Sequence, residues 1–271
     1  MIMSLGMGLL SINSCSITKT NAIDYGSRIE GIKESPKLSV FSNGNSKQQL
    51  QPVLIFVYGG NWNSGKKERY SYVGRNFAKH DMVVVTPDYT KSPNASYKEM
   101  AQQIASSILW VKDNIQKYGG DPERIYLTGH SAGGHLIALA VMNPEYGIDP
   151  NLIGGIILND AAGLDMETFL KNNPPTADQN YATTWTHNPE EWAAASPINF
   201  LNENTPKIMM YTGENSYNSI ISSNKRFLDV LKQFQPEAAI KWQDKSHVGM
   251  VSQLFWPWNH RFDEVREFMR E

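Results

Sequence analysis

The chain carries a single cysteine, Cys15, among 271 residues. No disulfide within the chain can therefore support the fold, and no cysteine-built metal centre is available. Metal spacing of the His-Glu-x-x-His kind is absent as well. Net charge is −2 and no basic run exceeds Lys66-Lys67, so nothing favours nucleic acid as a partner. There is no internal repeat and no low-complexity segment, which excludes solenoids and arrays. The apolar run at the N-terminus is too short to be a transmembrane helix. What remains is ordinary for a globular protein: 41% hydrophobic and 19% charged residues. That is enough for one substantial core, and α/β folds of this size often form a single domain.

The opening MIMSLGMGLLSINSCSITKTN is apolar, then small and polar. It resembles a bacterial lipoprotein signal, with Ile12-Asn13-Ser14-Cys15 as the processing box and Cys15 as the lipid-bearing residue. The expectation is export, to the periplasm or as a membrane-anchored lipoprotein. The departure is the lack of any Lys or Arg before Lys19. The alternative is an apolar N-terminus with a chance cysteine. Residues 1–22 are thus expected to be signal and linker, and 23–271 one domain, with residues 16–36 read as a linker or extended arm.

Beyond residue 36 the patterns alternate. Residues 37–45 read as a strand ending in an Asn-Gly turn, and 52–60 and 82–89 as strands buried on both faces. Between these last two, 68–80 predicts an amphipathic helix. Residues 97–118 give the longest predicted helix, with Met100, Ile104, Ile108, Val111 and Ile115 on one stripe and Gly119-Gly120 ending it. Strand 125–129, helix 132–142 and strand 152–160 follow. After an irregular aromatic insert at 161–200 come strand 207–213, helix 220–234, strand 239–243 and a last helix near 260–270. This alternation predicts an α/β fold: a mostly parallel sheet flanked by helices on both faces, with ligands bound at the carboxyl ends of its strands.

Gly129-His130-Ser131-Ala132-Gly133 joins a strand to a helix, the context a nucleophile elbow requires. Glycines two places either side let strand and helix approach, and the helix N-terminus offers the Ala132 amide to a developing anion. A serine hydroxyl needs a base. Of six histidines, His247 falls just after the last predicted strand, in a Gly-containing loop, where the order nucleophile, acid, histidine places a base. His130 and His135 read as structural. In VYGGNWNSG, amides of Gly60 or Asn61 are candidates to complete an oxyanion hole with Ala132.

The combination resembles the α/β-hydrolase superfamily, closest to the esterase/lipase branch with a His-Gly-Gly-x-Trp loop, including kynurenine-formamidase-like and hormone-sensitive-lipase-like carboxylesterases. The matching segments are Tyr58-Gly59-Gly60-Asn61-Trp62, Pro87-Asp88-Tyr89, Gly119-Gly120-Asp121-Pro122, Gly129 to His135, Ala195-Ser196-Pro197 and Ser246-His247. Tyr58 stands where the branch usually has His. The resemblance implies a triad acid a few residues past the strand ending near Gly213. That loop reads Gly213-Glu214-Asn215-Ser216-Tyr217-Asn218, without aspartate, and Ser216 occupies the usual place. Asp160, ending the preceding strand, is one replacement and Glu214 the other; absence of a functional acid is the third reading.

The insert is expected to form a cap, with Tyr181, Trp185 and Trp192 as apolar pocket walls beside Trp62, or merely to pack onto the body. Trp256 is a further candidate for the same cleft. These residues point to a serine hydrolase cleaving a small-molecule carboxylic ester through an acyl-enzyme on Ser131, with no cofactor and no metal. The alternatives are a formamidase or small amidase, and a catalytically silent binding lipoprotein on the same fold.

Overall fold

The computed structural model describes residues 16–26, 35–44, 49–176 and 181–270. Cys15 and the processing box lie outside them. Eight strands form one sheet in the order β1-β2-β4-β3-β5-β6-β7-β8. They are β1 (Thr18–Asp24), β2 (Lys37–Ser42), β3 (Gln51–Val57), β4 (Val83–Pro87), β5 (Gly120–His130), β6 (Ile153–Asn159), β7 (Ile208–Asn215) and β8 (Ile240–Ser246). The six strands from β4 to β8 across the sheet are mutually parallel, while β2 pairs antiparallel with β4 and β1 antiparallel with β2. Successive strand residues face opposite sides, yet every residue of β4 and almost every residue of β3 is buried. Both faces of the central sheet are therefore covered, as their unbroken apolar runs require.

Between the strands run α1 (Ser71–Ala78), α2 (Tyr97–Asn114) and α3 (Ala132–Met142). α2 begins at a capping box, in which Ser96 accepts from the Glu99 amide and the Glu99 carboxylate accepts from the Ser96 amide. Gly119, left-handed at φ 85°, closes the 3-10 turn that follows α2. α3 is buried on every side, so it shows little amphipathic period. Past β6 come α4 (Met166–Asn172), α5 (Tyr181–Trp185) and α6 (Glu190–Ala194); after β7 comes α7 (Asn218–Leu231); and β8 leads to α8 (His247–Ser252) and α9 (Arg261–Phe268).

Three expectations are corrected. The stretch from residue 16, expected to be a linker or an extended arm, is extended and paired as β1, which crosses the expected boundary at residue 22; Lys19 and Thr20 pair with Phe41 and Val40. Its polar, alternating sequence suits an exposed edge strand, and no apolar run announces it. The irregular insert is helical in α4, α5 and α6, segments of five to seven residues too short to show a helical period. His247 stands in no loop: it is the first residue of α8, and the Ser246 hydroxyl caps that turn by accepting from the Gly249 amide at 3.2 Å.

Because β3, β5, β6, β7 and β8 are parallel neighbours, their carboxyl ends share one edge of the sheet. Tyr58, Ser131, Asp160, Ser216 and His247 all lie at or just past those ends.

Candidate active site

The turn after β5 is built by close approach. A Cβ on Gly133 would stand 2.1 Å from the Val57 carbonyl oxygen, and one on Gly129 2.6 Å from the Gly133 backbone. Only glycine at both lets α3 start against β3. Between them Ser131 is held at φ 54°, ψ −126°, a conformation costly for an L-residue with a side chain. Its amide donates to the Asn159 carbonyl at 3.3 Å, and its own carbonyl accepts from His135 and Ala162. The strain is thus locked in from β6 and from α3.

The Ser131 hydroxyl lies 2.9 Å from His247 Nε2, and His247 Nδ1 lies 2.6 Å from Asp160 Oδ2. Asp160 is fully buried. Its second oxygen accepts from the Gly213 amide at 3.0 Å, and Oδ2 also accepts from the Ser216 hydroxyl at 2.6 Å. A carboxylate that receives the Nδ1 proton leaves Nε2 free to accept from serine, so the tautomer suits proton abstraction. Glu214 is exposed at the end of β7, and the carboxylate that pairs with His247 is that of Asp160. Of the two candidate acids, Asp160 is the one brought to the imidazole.

Two further histidines hold the site without charging it. His130 Nε2 donates to the His247 carbonyl at 2.9 Å, its ring 4.6 Å from the His247 ring. Burial, then the neighbouring His247, pulls the His130 pKa down to about 4. Burial does the same to His135, also to about 4. As a neutral ring, His135 accepts the Trp62 indole N–H at Nδ1, 3.1 Å, and donates from Nε2 to the Ala195 carbonyl, 2.8 Å. His135 thus ties the glycine loop to the Ala195-Ser196-Pro197 segment.

That loop turns sharply. Gly60 lies at φ 143°, and Asn61 and Trp62 follow at φ 51° and 57°. Its carbonyl accepts from the Asn63 and Ser64 amides. Tyr58, standing where the resemblance implies histidine, sends its hydroxyl behind the loop to the Asp88 carboxylate, and Lys91 Nζ contacts both groups at 3.1 Å. Burial raises the Tyr58 pKa far above the ordinary phenol value, so it stays a donor. The Tyr89 hydroxyl bonds the Tyr58 carbonyl at 3.2 Å. Pro87-Asp88-Tyr89 is therefore the anchor of the loop.

Gly60, Asn61 and Ser131 border one cleft of about 600 Å³, and Ala132 begins the helix beneath it, fully buried. Met166 and Phe169 of α4, Ile220 of α7 and Val248 and Val251 of α8 supply apolar wall, and Asp165, Ser219 and Ser223 a polar side. Trp62 lines the cleft. Trp185 and Trp192 do not: Trp185 is fully buried behind Trp62, edge-on at 4.7 Å and stacked on Tyr97, and Trp192 packs α6 onto the body. Large apolar area drew them into the core instead. The Tyr181 side chain lies outside the described residues. Trp256 is exposed and stacks on Trp258, away from the cleft lining. Sequence reasoning missed Tyr217, which lines the cleft mouth with its ring 5.2 Å from His247; as one exposed loop tyrosine it carries no signal. Among the described residues, the His and carboxylate groups close enough to share a metal are His130, Asp160 and His247, each already engaged in the hydrogen bonds above.

The BD-FAE family model matches residues 38–225. The probable isoprenylcysteine alpha-carbonyl methylesterase ICMEL1 of Oryza sativa subsp. japonica is 28% identical over 229 residues, 75% of this chain and 52% of that protein. Esterase LipQ of Mycobacterium tuberculosis is 31% identical over 178 residues, 60% of this chain and 41% of LipQ. The chain spans about half the length, or less, of the curated relatives it matches. Among solved structures, a truncated carbohydrate esterase from gut microbiota superposes with a TM-score of 0.74 at 20% identity, covering 96% of this chain and 97% of that one. At that identity the likeness concerns the fold.

Proposed function

The chain belongs to the BD-FAE family, within the α/β-hydrolase esterases, and from that premise we propose that it hydrolyses carboxylic esters through an acyl-enzyme on Ser131. One observation carries the reading: the unbroken line of hydrogen bonds from Ser131 Oγ to His247 to the buried Asp160, opening on the cleft beside the glycine loop. Ser131 Oγ attacks the ester carbonyl while its proton passes to His247 Nε2. The carbonyl oxygen becomes an oxyanion, held by the Ala132 amide and by Gly60 or Asn61 from the facing loop. Asp160 balances the imidazolium and keeps Nδ1 protonated. Collapse breaks the bond to the alcohol oxygen, which takes the proton from Nε2 and leaves. Water then adds to the acyl-enzyme, giving its proton to Nε2; this proton returns to Ser131 as the acid departs.

The silent-module reading rests on the missing loop aspartate; Asp160 Oδ2, 2.6 Å from His247 Nδ1, supports a triad acid from the neighbouring strand instead. A fluorophosphonate probe tests the proposal: it should label Ser131 covalently, and Ser131→Ala should abolish labelling. A folded wild-type protein that does not label refutes it.

Export with a lipid on Cys15 is part of the same proposal, supported by the apolar run and small-residue box that precede it. No helix among the described residues is long and apolar enough to cross a membrane. Radiolabelled palmitate should enter the wild-type chain expressed in bacteria and not Cys15→Ser; equal labelling would overturn it.

A further inference from the structure

Resting on the triad reading above, we infer that Ser216 is a positioning residue: its hydroxyl sets the Asp160 carboxylate and guards the Nδ1 proton of His247. Asp160 follows directly on β6 at φ 51°, with a short side chain that reaches past the end of β7 to His247 at the end of β8. The terminal torsion of an aspartate is broad and two-fold, so one or two hydrogen bonds leave its plane soft. Here three donors define that plane, two from the end of β7 and one from α8: Gly213 N–H on Oδ1, and His247 Nδ1–H with Ser216 O–H on Oδ2. Ser216 itself is fixed, since its amide donates to the Gly213 carbonyl at 3.2 Å just before α7 begins. The same hydroxyl oxygen stands 3.5 Å from His247 Nδ1. It therefore occupies the space from which water would compete for the Nδ1 proton, at a position that is only half-buried. Removing the hydroxyl frees the carboxylate to turn and opens that space.

Neither effect touches substrate, so the loss falls on turnover and not on binding. Ser216→Ala should lower kcat on a short-chain aryl ester about 10-fold, with KM within about twofold of wild type, because small misplacements of catalytic groups are costly. Ser216→Thr keeps the hydroxyl and should restore at least half of the wild-type kcat. Thermal melts and fluorophosphonate titration of Ser131 establish that each variant is folded. A Ser216→Ala enzyme with wild-type kcat overturns the inference; so does a loss that threonine does not restore, or one expressed in KM. In either case full labelling of the wild type leaves the triad reading standing. Wild-type protein that never labels refutes that reading and takes this inference with it.

Discussion

Replacing Asp160 by asparagine preserves shape and changes one property, the pattern of donors and acceptors. In the native site one carboxylate accepts from Gly213 N–H, His247 Nδ1–H and Ser216 O–H, and it is fully buried. An asparagine oriented with its carbonyl toward Gly213 turns its NH2 on His247. The imidazole must then accept at Nδ1 and carry its proton on Nε2, 2.9 Å from Ser131 Oγ, where a base is needed. The opposite orientation sets NH2 against the Gly213 N–H, leaving a buried donor unpaired at about 1–3 kcal/mol, and still removes the counter-charge of the imidazolium. The first orientation loses the base and the second the counter-charge of the imidazolium, so kcat should fall about 10⁴-fold, equivalent to roughly 5 kcal/mol of transition-state stabilisation. Glu214→Gln, changing an exposed side chain that is not the carboxylate paired with His247, should stay within about twofold, as surface substitutions do. Initial rates on a short-chain aryl ester, normalised to folded protein by circular dichroism, measure both. An Asp160→Asn enzyme retaining a tenth of wild-type kcat, or a larger loss in Glu214→Gln, would refute the assignment.

Three other outcomes follow from the same geometry. Trp62→Phe removes the donor to buried His135 Nδ1, so it should cost about 1–3 kcal/mol in urea unfolding and raise KM, whereas Trp185→Phe, behind the cleft, should alter stability and leave KM alone. Gly133→Ala drives a Cβ to 2.1 Å from the Val57 carbonyl; β3 and α3 must part, and the urea transition should show a loss of about 3 kcal/mol or more, or no folded protein. The depressed pKa values of His130 and His135, each near 4 against 6.5 unfolded, mean the unfolded chain binds more protons between those values. Stability should therefore be full above pH 6.5 and fall as pH drops toward 4, by up to roughly 3 kcal/mol per histidine, and a urea midpoint unchanged from pH 7 to pH 5 would contradict it.

How much was legible in the sequence depended on the range of the forces involved. The buried strands announced themselves as apolar runs because both faces of a parallel sheet must be covered, and the elbow did so because only glycine tolerates the approach at positions 129 and 133. Ser131 is legible as a candidate from its glycine-boxed strand–turn–helix setting, and His247 from the order of elements. Edge strand β1 and short helices α5 and α6 escaped, since neither an exposed edge nor a five-residue helix leaves a period to read. The choice between Asp160 and Glu214 was undecidable in one dimension, because two carboxylates at adjacent strand ends look alike until a direction is assigned. Likewise Trp62 and Trp185 are equal aromatics on paper, yet one lines the cleft and the other fills the core. Local chemistry wrote the fold, the candidate nucleophile and the candidate base into the chain. Which acid meets the imidazole, and which tryptophan meets the cleft, was decided only when strand register and packing fixed where each side chain points.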